Sequence, residues 1–142
     1  MRKIILAATG VLVAAAPPAS TQVTSRTDAQ RLSAAKGVTL QWIDWNTRGS
    51  VYVVQGRTWH VSATQAEAGG PGRLQVDGDI VRIAPGGFIL RGTIRIVDTP
   101  DRGRRCEATR DWPFAVTQNR PYYRLRAFEW CDGLTDYVDI HF

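Results

Sequence analysis

The sequence predicts an all-β fold, an antiparallel meander forming a small barrel or sandwich, with a short N-terminal helix and one disulfide. Three observations lead there. From Gly37 to Phe142 apolar and polar residues alternate with period two through many short runs. Turn residues punctuate those runs at Arg48-Gly49, Gln55-Gly56, Gly69-Gly70-Pro71-Gly72, Pro85-Gly86-Gly87 and Asp132-Gly133. Short strands separated by such signals make sandwiches and barrels. The third observation is an even cysteine count, Cys106 and Cys131.

The chain begins with a basic pair, Arg2 and Lys3, followed by the uncharged, mostly apolar stretch 4–16 and then Pro17-Pro18. That order reads as a secretory signal peptide over residues 1–15, cleaved after Ala15. The apolar run falls short of the roughly 20 residues that span a bilayer. It holds no cysteine for lipid attachment. The expected product is soluble and periplasmic or secreted, with no membrane span after cleavage. Residues 16–36 are polar and small. Within them Thr27 and Gln30 have capping-box spacing, which predicts a helix over 28–36 ended by Gly37. Its few apolar side chains suit a tether. A single β-domain is expected over 37–142.

The predicted strands are 38–43, 50–54, 59–64, 74–76, 79–83, 88–97, 112–117, 122–130 and 134–141. The clearest hairpin pairs Ile83 with Phe88 across a four-residue loop, Ala84 to Gly87. That register sends Val81, Ile83, Phe88, Leu90, Ile94 and Ile96 inward, and Ile80, Arg82, Ile89, Arg91 and Arg95 outward. In the last hairpin Leu134, Val138, Ile140 and Phe142 alternate with polar positions. The terminal Phe142 is therefore expected to be built into the sheet.

Pairing Thr117 with Tyr122 brings Cys106 nearly opposite Cys131 if the earlier strand continues back through Pro113. In an oxidising compartment these two should form a structural disulfide. A redox-active pair would need a C-x-x-C spacing, which is absent.

The formal charge of +5 includes Arg2 and Lys3, so the chain beyond the leader carries +3. That mild excess, outside the cytoplasm, argues against a nucleic-acid partner. Lys occurs only at Lys3 and Lys36, so nearly all the positive charge is arginine. Arginine forks suit carboxylates and phosphates. Arg82, Arg91 and Arg95 on the hairpin, and Arg102, Arg104 and Arg105 in the loop from 98, are the candidate anion contacts. Trp42 and Trp45 lie outside the strongest hairpins and are the expected exposed aromatics. Asp132, Asp136 and Asp139 do not form a calcium loop, so turn chemistry for Asp132, and cross-strand pairing with Arg124 or Arg126 for the other two, is preferred to a metal site. No metal or cofactor is expected.

The block Arg120-Pro121-Tyr122-Tyr123-Arg124-Leu125-Arg126, with Cys131-Asp132-Gly133 and Asp136-Tyr137-Val138-Asp139-Ile140, resembles the ending of small exported proteobacterial β-proteins of unknown function. The resemblance implies an exported β-domain and no particular activity. Three functions are expected to compete. The first is a non-enzymatic binding or structural domain using its Arg and aromatic surface, with an anionic glycan, a lipid head group or a periplasmic protein as partner. The second is a small hydrolase using His60 or His141, with Ser50 or Ser62; no strained nucleophile motif accompanies them. The third is an inhibitor of a secreted enzyme.

Overall fold

The structure, a computed structural model, describes residues 9–12 and 19–142. The leader and its cleavage point lie largely outside the described residues. The elements are β1 (Gln22–Val23), α1 (Arg26–Ser33), β2 (Gly37–Leu40), β3 (Ser50–Val54), β4 (Trp59–Ala66), β5 (Arg73–Ala84), β6 (Gly87–Val97), β7 (Arg105–Ala115), β8 (Tyr122–Leu125) and β9 (Val138–His141). Eight strands run β2-β9-β8-β7-β6-β5-β4-β3. Val38 and Gly49 then exchange backbone hydrogen bonds of 2.8 and 3.2 Å between the two ends of that order. The result is a nearly closed up-and-down antiparallel barrel, one of the two forms the sequence predicts, with the expected short helix and disulfide.

An eight-stranded barrel has an interior just wide enough to be filled by side chains. Here Val61, Leu74, Val76, Leu90, Ile94 and Trp112 are among the buried residues that fill it. The two short runs 74–76 and 79–83 are one strand, β5. It passes through Gly78, which stands opposite Gly92. A Cβ on Gly92 would lie 2.1 Å from the Asp77 carbonyl oxygen, so this approach needs glycine. Trp112 Nε1 donates to the Gly92 carbonyl at 2.9 Å, using the same crossing.

Ile83 does pair with Phe88. The loop is shorter than expected, because Ala84 pairs with Gly87 and leaves only Pro85-Gly86. Proline presets one turn residue, and Gly86 at φ 79 supplies the left-handed one. The predicted faces also need one correction. Ile80 pairs with Leu90 and Arg82 with Ile89, so Val81 is an unpaired bulge residue. The extra residue exchanges the two sides. Ile80 is consequently in the core at 1 % exposure, where Val81 had been expected.

The segment before Gly37 is part of the fold and not a tether. β4 accompanies β5 only as far as Trp59 opposite Ile80. Beyond that point β1 takes its place, in parallel, with Gln22 beside Arg82 and Val23 beside Ile83. Thr21 Oγ1 joins the two, donating to the Ile80 carbonyl at 2.5 Å and accepting from the Trp59 N–H at 2.8 Å. Helix α1 begins earlier than predicted and is capped by Ser25, not Thr27: the Asp28 N–H donates to Ser25 Oγ at 3.1 Å. The helix docks through Leu32, which is fully buried, and through Asp28. The Asp28 carboxylate accepts from Tyr123 Oη at 2.6 Å and from the Gly86 N–H at 3.0 Å. Burial pushes the Asp28 carboxyl up, but these bonds, Ser25 and the nearby Arg31 outweigh it and hold it below the usual range.

Phe114 pairs with Leu125 and Ala115 with Arg124, the register that the 117–122 turn predicts. β7 continues through Pro113, which sits opposite Ile89 and accepts from the Arg126 N–H at 2.8 Å. β8 and β9 are shorter than the predicted 122–130 and 134–141, because residues 126–137 leave the sheet. The Cys106–Cys131 disulfide, with Cα atoms 5.9 Å apart, ties this excursion to β7. Phe142 packs on Tyr123 with ring centroids 5.0 Å apart, as expected of a terminus built into the sheet. Among the described residues no helix is long and apolar enough to cross a membrane.

Candidate functional site

The outward positions of β3 to β7 line up across the strands into three polar rows. The first is Val54, His60, Asp79, Arg91 and Asp111. The second is Tyr52, Ser62, Asp77, Thr93 and Thr109, and the third is Ser50, Thr64, Gln75, Arg95 and Glu107. Cross-strand neighbours on one face stand close enough to interact. Arg91 donates to both Asp111 oxygens, at 2.8 and 3.0 Å. His60 Nδ1 lies 2.8 Å from Asp79 and Nε2 3.3 Å from Asp77. Those hydrogen bonds and charges, the one to Asp79 foremost, raise the His60 pKa. Ser62 Oγ donates to the other Asp77 oxygen at 3.1 Å. Tyr52 and Val54 of these rows are exposed, and Ala19 and Ser20 border the first row beside Asp79 and Arg91.

The outward side of β2, β9 and β8 is covered. Arg124 makes a bidentate pair with Asp139 at 2.8 and 2.9 Å, the cross-strand pairing expected from the sequence. Three aromatic rings surround that guanidinium: Tyr137 at 4.1 Å, Tyr122 at 5.2 Å and Trp45 at 5.7 Å. His141 Nε2 shares a 2.8 Å hydrogen bond with Thr39 Oγ1. Burial, with Arg48 nearby, pushes the His141 pKa down. Asp139 and His141 lie two residues apart on one face of β9. Ser50 and Ser62 lie on β3 and β4, and the His141 ring bonds Thr39 rather than either serine.

A third constellation lies under the 126–137 excursion. Arg104 donates to Asp136 at 2.8 and 2.9 Å and to Asp132 at 3.1 Å. The Arg104 side chain is 4 % exposed and Asp136 fully buried. The Asp136 hydrogen bonds foremost raise the Arg104 pKa, so the cation is permanent. Trp42 Nε1 adds a 2.9 Å bond to Asp136.

The predicted contact residues therefore separate. Arg82, Arg91 and Arg95 are on the outer wall, though Asp79, Asp77 and Thr93 break them into separate positions rather than a continuous row. Arg102 is on an exposed loop. Arg104 is not a surface anion contact, because its fork is consumed by Asp136 and Asp132. Trp42 is half-buried on the same carboxylate, which corrects its expected exposure, whereas Trp45 is 46 % exposed. Arg105 projects outward on β7 beside Val97, and Arg73, missed in the sequence, stands on the other side of Val97. The broken strand prediction hid Arg73; a continuous β5 would have placed it. Cys106, Cys131 and Asp132 lie close together, but oxidation of both sulfurs removes the thiolates that a metal would need.

The fold and its outer faces define a small disulfide-stapled β-barrel with a filled interior and its chemistry on the wall. The chain belongs to the PM1083 family, whose model matches residues 20–142. It is 31 % identical over 105 residues to the uncharacterized protein PM1083 of Pasteurella multocida (strain Pm70), covering 72 % of this chain and 68 % of that relative. No solved structure matches it.

Proposed function

We propose that the protein is an exported, non-enzymatic binding domain that meets an anionic ligand or a protein partner with the outer face of β4 to β7. One observation carries this reading: the barrel interior is filled with apolar side chains, while Arg73, Arg82, Arg91 and Arg105 on that face are exposed and Arg95 is half-buried. The basic, apolar leader and the oxidised cysteine pair support export. A hydrolase on His60 or His141 has less support. His60 has a carboxylate at each ring nitrogen, and Ser62 donates to Asp77 rather than to the imidazole. His141 is engaged with Thr39.

The test is a thermal-shift screen of the oxidised protein against anionic glycans, phosphates and anionic lipids. A ligand of the native state raises Tm by mass action. Pull-down from periplasmic extract at low and high salt covers the protein-partner and inhibitor cases, since contacts made by exposed charge weaken as salt rises. Turnover of a substrate that is abolished by His60→Ala or His141→Ala would overturn the reading.

A further inference from the structure

We infer that Arg73, Arg95 and Arg105 form a cradle for a phosphomonoester dianion; this rests on the binding reading above and names its ligand chemistry. The register puts the three side chains on one patch. Arg73 on β5 and Arg105 on β7 stand on either side of Val97 on β6, and Arg95 is the next outward residue along β6. Strand spacing sets the two flanking Cα atoms about 10 Å apart, with Arg95 about 7 Å along the strand. Three arginine side chains can converge from those positions on one point above the sheet. Their stems border Val97, which is only 9 % exposed although it faces outward.

A depression of about 310 Å³ opens between Arg73 and Arg95, with Thr64 and Gln75 on its wall. A second, of about 260 Å³, continues between Arg95 and Arg105 and includes Glu107. Among the described residues neither the Arg95 nor the Arg105 side chain enters an ion pair or a hydrogen bond. Arg73 spends Nη1 on the Gly70 and Gly72 carbonyls at 2.8 and 2.7 Å, which orients its fork and leaves its other N–H groups free to donate. Arg91, Arg104 and Arg124, by contrast, are each held by a carboxylate.

Glu107, opposite Arg95, is the one acid in these two depressions. Among the residues lining the two depressions three cations face one anion, a surplus of two positive charges; Glu67 is engaged separately, accepting from the Gly72 N–H at 2.9 Å. A phosphomonoester at neutral pH carries close to two negative charges and three acceptor oxygens. It matches the patch in charge, and its oxygens match guanidinium forks in geometry. A carboxylate or a phosphodiester, with one charge each, leaves a cation uncompensated. The dianion can be presented by a free sugar phosphate or by a phosphatidate head group.

The experiment uses the oxidised full chain at constant ionic strength. Glucose 6-phosphate, glucose 6-sulfate and glucuronate are titrated by calorimetry, and vesicles with phosphatidate or with phosphatidylglycerol are sedimented with the protein. The sugar phosphate, the phosphatidate vesicles or both should bind, and their single-charge counterparts should bind at least about tenfold more weakly, the scale of one lost charge-assisted hydrogen bond. Arg95→Gln and Arg105→Gln should each weaken binding about tenfold, whereas Arg26→Gln, on the exposed side of α1, should not. The unliganded Tm of each variant checks that it is folded. Affinity should also fall as pH drops through the second phosphate ionisation near ~6. Equal binding of glucose 6-sulfate and glucose 6-phosphate overturns the cradle. So does binding that Arg95→Gln and Arg105→Gln leave intact. Another ligand from the screen that ignores those two variants removes this proposal but keeps the binding domain. Histidine-dependent turnover with no binding at the patch removes both.

Discussion

Arg91–Asp111 on β6 and β7 and Arg124–Asp139 on β8 and β9 are the same device, a bidentate cross-strand pair with a 2.8 Å leading contact. Their surroundings differ. The first pair has side chains 59 % and 49 % exposed; the second, 11 % and 0 %. The histidines of the two faces divide in the same way. His60 sits in the open between two carboxylates and is pushed up, while His141 is shut under the loop after β2 and is pushed down. One barrel wall thus carries ion pairs that solvent screens and ion pairs that the fold depends on. Cover, rather than side-chain identity, decides which is which.

The largest test of that contrast is at the most enclosed pair. Asp136→Ala leaves the buried Arg104 charge with only the half-exposed Asp132 as a partner, and should cost about 3–5 kcal/mol in denaturant unfolding. A cost near that of an exposed pair would show that the cover admits water. Replacing both cysteines by serine frees the 126–137 excursion from β7. For a sequence separation of 25 residues the loss should be about 3 kcal/mol, read in the same assay. The pH dependence comes next and has opposite signs on the two faces. The raised His60 contributes stability that is full below its unfolded value of 6.5 and is lost as pH rises through its folded value. His60→Gln should therefore lower stability in acid, by less than about 1 kcal/mol for so exposed a pair, and leave it unchanged in alkali. The lowered His141 contributes stability that is full above 6.5 and is lost as pH falls below it. His141→Gln should flatten the acid limb of the stability profile. Parallel pH profiles for the two variants would remove the distinction between the faces. The smallest effect is expected for Arg91→Gln, which should leave the unfolding midpoint within error.

Period-two alternation and turn residues were enough to read the barrel wall from sequence, because a half-buried strand writes its facing into every second residue. The 83–88 and 114–125 pairings follow from turn positions alone. What escaped reading breaks that period. The bulge at Val81 shifts the faces by one residue without any glycine or proline to mark it. Helix α1 is held by a single leucine and a carboxylate, so it has little apolar stripe to detect. Arg104 looked like its loop neighbours Arg102 and Arg105, and only the return of Asp136 from far along the chain buries it. Of the proposed cradle, Arg95 and Arg105 were visible, while Arg73 needed β5 to be seen as one strand.

The seam of the barrel joins β2 to β9, and Thr39 and His141, which meet across it, are 102 residues apart in sequence. Every other antiparallel pairing in the wall links consecutive strands and can form as the chain is made. The seam cannot. Synthesis delivers β2 before the other strands of the wall and β9 after them, so that edge of β2 stays unsatisfied until β9 arrives. Contacts so distant in sequence are slow to form, because loop closure precedes any gain from pairing. This wiring is a timer: the barrel cannot close before β9 has emerged.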